Sequence, residues 1–304
     1  MKLFYADHFV LPLPAGHRFP MEKYARLRAR LAASGVFDGA DFVVPAAASD
    51  AEILRAHGAG YLQRVTSGGL DAAEQRRIGF PWSGQMVERS RRSAGATLAA
   101  CRAALVDGCA ANLAGGTHHA QRECGAGFCV FNDAAIAALA MRAEGRARRV
   151  AVIDCDVHQG DGTAAILADT PEAFTFSMHG AKNFPFRKAH SDLDIELPDG
   201  TGDEAYLAAL RAGLANLFAR FTPDLVIYLA GADPFRDDRF GRLALTHEGL
   251  AARDAMVLDA AFGRAIPVAL AMAGGYARDI EDTVAAHAAT ILTAAHLRHA
   301  IRAD

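Results

Sequence analysis

The stretch Val150-Ala-Val-Ile-Asp154-Cys-Asp156-Val-His158-Gln-Gly-Asp161 runs from apolar residues straight into three acids and a histidine. Side chains of an extended chain alternate between its two sides, so Asp154, Asp156 and His158 project together. Asp156 and His158 can therefore reach one cation. A third acid, Asp233 in Ala230-Gly-Ala-Asp233, completes an oxygen/nitrogen set. Three protein ligands leave positions open for water and substrate, as in a catalytic rather than a structural zinc site. Such an ion both polarises a carbonyl and activates water.

Singly these residues say little. A lone aspartate at a strand end more often caps a helix or turns the chain, and a lone histidine is more often a satisfied polar group. The combination carries the reading. His118 and His119 follow two glycines, and Asp154 and Asp161 offer each imidazole a carboxylate. Two imidazoles oriented by acids form an acid/base pair, one taking a proton from water and the other holding charge. Tyr276 follows Gly274 and Gly275, which let backbone and ring approach a ligand closely, and its hydroxyl can stabilise an oxyanion. Phe128, beside Gly127 in a glycine-rich turn, and Phe184 in Lys182-Asn-Phe-Pro185 can wall a narrow apolar tunnel.

These groups need elements to position them. Short apolar runs over 110–114, 150–153, 173–178, 225–229 and 268–272 read as strands, and residues 1–8 as a first strand. They alternate with helical stretches over 20–33, 85–107, 132–144, 203–219, 246–262 and 279–298. Continuous apolar strands alternating with helices predict an α/β fold, a mostly parallel central sheet with helices on both faces. Ligands then sit outside the carboxyl ends of the strands, and four of these runs end in reactive groups. The absence of repeats, low-complexity tracts and linkers predicts a single domain over residues 1–304.

Composition excludes several functions. With 52% hydrophobic residues and a mean hydropathy of +0.09, the chain can build a large core. No apolar run is long enough for a membrane span, and the N-terminus lacks a signal-peptide segment. A net charge of −3 gives no footprint for nucleic acid, and the arginines over 89–92 and 146–149 read as solvated helix faces or ends. Five cysteines without a C-x-x-C pair fit a reducing cytoplasm, with Cys155 pointing into the core. No glycine fingerprint for a nucleotide cofactor occurs.

The motifs GGTHHA, GAGFCVFND, VIDCDVHQGDGT, YLAGADP and MAGGY, in this order, closely resemble those of the histone deacetylase superfamily. They lie within residues 113–276. The resemblance implies the arginase/deacetylase fold and a zinc-dependent amidohydrolase, with ferrous iron as the other candidate metal. It implies Asp156, His158 and Asp233 as metal ligands, His119 as general base and acid, and His118 as its electrostatic partner. Asp161 and Asp154 are then the acids behind them, Tyr276 polarises the carbonyl, and Gly127, Phe128 and Phe184 line an acyl-lysine tunnel. An inner potassium site is implied at Asp154, Ser177 and the backbone oxygens of Asp156, His158 and Met178.

Within the superfamily, His158-Gln-Gly and Asp237-Asp-Arg-Phe-Gly-Arg-Leu243 look most like the class IV branch and its short bacterial relatives. The chain departs from the family pattern at several positions. Gln159 stands where many members carry a second histidine, and Lys23 falls where the family has an arginine for leaving acetate. The segment Ile78-Gly-Phe-Pro-Trp82-Ser shows no equivalent of the rim aspartate. The implied substrate is the acylated lysine of a protein or peptide. Alternatives are a small acetylated amine such as an acetylpolyamine, a metal-binding homologue without chemistry, and a two-metal ureohydrolase.

Overall fold

The protein's structure is a computed structural model and describes residues 1–303. The chain opens with β1 (Lys2–Phe4), α1 (Glu22–Ala32) and β2 (Phe42–Val43). Four helices follow: α2 (Asp50–Ile53), α3 (Ala59–Ser67), α4 (Ala72–Ile78) and the long α5 (Gly84–Asp107). The centre holds β3 (Cys109–Asn112), α6 (Asp133–Ala143), β4 (Val150–Asp154), α7 (Asp161–Leu167), β5 (Ala173–Gly180) and β6 (Leu193–Leu197). The last third comprises α8 (Asp203–Arg220), β7 (Leu225–Leu229), α9 (His247–Phe262), β8 (Val268–Ala271) and α10 (Ile280–Ala303).

The strands form one sheet in the order β2-β1-β3-β8-β7-β4-β5-β6, and every ladder is parallel. Both faces are covered, and the period-two rule explains how. Val150 and Val152 of β4 join the layer under α5 and α6, with Leu98, Ile136 and Met141. Ala151 and Ile153 join the layer under α1, α8, α9 and α10, with Leu31, Leu214, Leu258 and Ile291. Cys155 continues the second parity and is buried in that layer, as expected.

Each run read as a strand overlaps one, and each helical stretch overlaps a helix. The reading missed the edge strands β2 and β6, the short helices α2 to α4, and α7. β2 is two residues long, and β6 alternates polar and apolar residues on a partly exposed edge. One expectation fails. Arg89 is not solvated but 6% exposed, its guanidinium donating to the Ala6 carbonyl and lying 4.5 Å from the Tyr24 ring centroid. Arg91 and Arg92 donate to the Ala48 and Pro45 carbonyls, so this cluster fastens the segment before α2 to α5.

Candidate active site

The four strands whose ends carry reactive groups, β3, β8, β7 and β4, are the four central neighbours of the sheet. Their parallel register delivers His118 and His119, Tyr276, Asp233, and Asp156 with His158 to one end. Ligand atoms of Asp156, His158 and Asp233 all lie within 4.8 Å of one another.

Backbone amides hold the two carboxylates. Gly274 N donates to Asp156 Oδ2 at 2.7 Å, and Val157 N donates to Asp233 Oδ1 at 2.8 Å. Asp233 Oδ2 is buried with no hydrogen-bond partner and lies 3.3 Å from His158 Nδ1, which is 3.0 Å from Asp156 Oδ1. Burial and the nearby Asp156 push the Asp233 carboxyl up to about 7. Burial opposes charge on His158, but Asp156 and Asp233 outweigh it and raise the imidazole to about 10. Two crowded carboxylates and one imidazole compete here for a positive charge. The orphaned oxygen and the nitrogen/oxygen donor set fit a divalent cation of the zinc type. Gly274 is required by this crowding, because a Cβ there would lie 1.9 Å from Asp233 Oδ2.

Beside this cluster the tandem histidines have separate acids. His118 Nδ1 is 2.6 Å from Asp154 Oδ2, and His119 Nδ1 is 2.6 Å from Asp161 Oδ1. The ring centroids are 4.1 Å apart, so both cannot readily carry charge. Burial disfavours the His118 cation, yet Asp154 and Asp156 together raise it to about 9. Burial and the adjacent His118 lower His119 to about 4 despite Asp161. At neutral pH one ring is therefore charged and the other is a neutral base.

The loop bearing these histidines is held by residues the sequence reading used only as a helix start. Asp133, fully buried at the head of α6, accepts from Gly116 N at 2.9 Å, Thr117 N at 2.7 Å and Thr97 Oγ1 at 2.6 Å. Asn132 Nδ2 donates to the His118 and Ala120 carbonyls. Both residues lie in the motif GAGFCVFND, which was the available signal. Arg253, buried on α9, was also missed. It donates to the Gly231 carbonyl at 2.6 Å and the Cys155 carbonyl at 3.3 Å, behind the strand ends that bear Asp233 and Asp156.

A pocket of ≈550 Å³ opens over the cluster. Gly127, Phe128, Phe184, Gly274 and Tyr276 line it, together with Asp156, His158 and Asp233. Phe128 takes a φ of 65° and its ring lies 5.9 Å from that of Tyr276, while Phe184 lies 4.8 Å from His119. Burial, helped by Tyr24, Asp156 and Asp233, holds the Tyr276 phenol far above its ordinary pKa, so it remains a donor. Phe19, Phe240 and the exposed Phe186 extend the lining and were not foreseen. Gly275, expected beside the substrate, is not among the lining residues. Its φ of +147° turns the free side of its α-carbon toward Thr283 and His287.

The remaining sequence expectations also find places. The β4–β5 register sets Asp154 beside Ser177, with Met178 next along the strand, and Gly180 N donates to the Val157 carbonyl between Asp156 and His158. Lys23 is buried under the tyrosine loop, its Nζ 3.2 Å from the Gly275 carbonyl and 5.0 Å from the Tyr276 ring centroid. Gln159 bridges Asp194 and both backbone groups of Ala189, tying the loop that follows Phe184 to the end of β4. Trp82 does not line the pocket; its indole donates to the Val65 carbonyl at 2.7 Å.

This sheet, with a three-donor cluster and paired histidines at its carboxyl end, is that of the arginase/deacetylase fold. The histone deacetylase domain matches residues 17–292, and the chain belongs to that family. It is 43% identical over 283 residues to an uncharacterized protein of the cyanobacterium Picosynechococcus sp., covering 93% of this chain and 94% of that one. Histone deacetylase 2 of Arabidopsis thaliana is 31% identical over 282 residues, covering 88% and 73% respectively. The crystal structure of a histone deacetylase homologue from Aquifex aeolicus superimposes with a TM-score of 0.81 at 22% identity, covering 96% of this chain and 83% of that one.

Proposed function

We propose that the protein is a metal-dependent amidohydrolase that removes acyl groups, acetyl or longer, from lysine side chains. The opposite proton preferences of His118 and His119, beside a three-donor cluster at the foot of an aromatic pocket, carry this reading. A zinc or ferrous ion held by Asp156, His158 and Asp233 would supply Lewis acidity toward the amide carbonyl and lower the pKa of water.

The chain's own residues divide the remaining work. Phe128 and Phe184 flank the alkyl stem of the lysine, and Gly127 keeps the wall thin next to His119, where a Cβ would lie 2.6 Å from Cδ2. His119, neutral and oriented by Asp161, takes the proton of the attacking water and returns it to the leaving amine. His118, charged and held by Asp154, offsets the negative charge that grows in the tetrahedral intermediate. The Tyr276 hydroxyl donates to the carbonyl oxygen as it becomes an oxyanion. A potassium ion at Asp154, Ser177 and the Asp156, His158 and Met178 carbonyls would stiffen the strand end beneath them. We read residues 1–304 as a single catalytic domain. The five free cysteines fit a reducing cytoplasm.

A fluorogenic acyl-lysine panel from acetyl to long fatty acyl, with metal analysis of the same sample, tests the assignment. The expected result is hydrolysis of at least one member with one catalytic divalent ion per chain. Two such ions per chain with urea release from guanidino substrates would replace it with the ureohydrolase reading. Full metal loading with no amide cleaved would leave a binding protein.

A further inference from the structure

The acids that line the pocket, Asp156 and Asp233, are buried at its floor, whereas four cations line it from exposed positions: Arg18, Lys182, Arg239 and Arg242. They come from three separate connections, before α1, after β5 and after β7. Their compensation is slight. Arg242 lies 3.1 Å and Lys182 3.9 Å from the same Asp199 carboxylate. The Arg239 guanidinium donates to the Arg278 carbonyl, and among the described residues neither it nor Arg18 has a carboxylate within ion-pair distance. A chain of net charge −3 thus presents a basic ring at this one opening.

We propose that this ring selects acyl-lysines flanked by acidic residues. The inference rests on the acyl-lysine reading and names its substrate class. An acyl-lysine side chain fills the aromatic pocket, so its neighbours along the peptide lie at the mouth, within a Debye length of about 10 Å of the cations. Carboxylates there meet unpaired guanidinium groups, and Arg forms two-pronged bonds to them. Lysine-rich flanks and polyamines meet like charge. Each exposed pair contributes a factor of about 1.5 to 5, so two or three together give roughly tenfold.

The test uses metal-loaded protein and three acetyl-lysine peptides that differ only in their flanks (Asp/Glu, Ser/Gly or Lys/Arg), with a monoacetylated polyamine alongside. The expected kcat/KM is about tenfold higher for acidic than neutral flanks and lowest for basic flanks and the polyamine, with the difference in KM. About 0.5 M salt, or Arg18→Gln combined with Arg239→Gln, is expected to shrink the acidic-to-neutral ratio to about threefold or less. Equal rates, or faster turnover of basic flanks, would overturn the proposal. If no peptide is cleaved, the acyl-lysine reading has failed instead, and calorimetric titration of the same peptides still judges the ring. Tighter binding of the acidic peptide supports it; no ranking, or tighter binding of a short single-stranded oligonucleotide, refutes it.

Discussion

At the floor of the pocket, Asp156 and Asp233 are almost fully buried, and their oxygens accept backbone amides or crowd His158. At the mouth, Arg18, Lys182, Arg239 and Arg242 are exposed, and among the described residues Asp199 is the one carboxylate within ion-pair distance of any of them. Burial makes the floor's charges interact strongly and allows little freedom in their placement; water and salt weaken the mouth's charges and leave them adjustable. On the proposed reading, chemistry is assigned to the floor, where a displacement of one oxygen matters. Selectivity is assigned to the mouth on the same reading, where several weak contacts add. Variants of the two regions are expected to differ in kind as well as size, floor changes acting on kcat or metal content and mouth changes on KM.

After removal of the proposed base, His119, the largest effect expected is that of Tyr276→Phe. It removes the oxyanion donor but keeps the ring against Phe128, so kcat for an acetyl-lysine peptide is expected to fall by about 10²- to 10³-fold with unchanged thermal stability. A loss in KM alone would blur the division between floor and mouth. Gly274→Ala places a methyl group onto Asp233 and is expected to weaken metal binding about 100-fold, measured by chelator competition. Metal retained at full strength would show that the crowding is relieved elsewhere.

Asp154→Asn sharpens the comparison through pH. Asp154 is one of two acids that keep His118 protonated up to about 9, so the wild-type kcat/KM profile is expected to fall on the alkaline side as His118 loses its proton. Replacing that carboxylate removes a raising influence, so the alkaline limb is expected to move to lower pH, with about tenfold lower activity at neutral pH. An unmoved limb would assign it to another group. The smallest effect expected is that of Gln159→Ala, which unties Ala189 and Asp194 from the metal strand. A two- to fivefold rise in KM is expected, of the order of one lost hydrogen bond.

The floor was legible in the sequence because its residues lie within a few positions of the ends of apolar strands. Period two then put Asp156 and His158 on one side, and the parallel register did the rest. The sequence reading offered Asp154 and Asp161 as carboxylates for the two imidazoles; the folded chain sets His118 against Asp154 and His119 against Asp161, each at 2.6 Å. The mouth was not legible in this way. Arg18, Phe19, Arg239, Phe240 and Arg242 sit in irregular connections, and their convergence depends on how distant crossovers end. The stretch from Asp237 to Leu243 stood out only as a family marker, yet it supplies three of those five residues. Asp133 shows a further limit: an acid at a helix start has an adequate local role, and only the folded chain reveals four donors turned toward it. Arg89 looked solvated because helical spacing alone does not show that the first loop covers that face.

The most direct test of the account is release of acetate from an acetyl-lysine peptide by metal-loaded protein, measured beside His119→Ala with equal metal content. Steady turnover by the natural chain is expected, with a loss of about 10²- to 10⁴-fold in the variant, carried by kcat. Comparable turnover by the two proteins would contradict it, because the neutral imidazole at the floor would then not be the base.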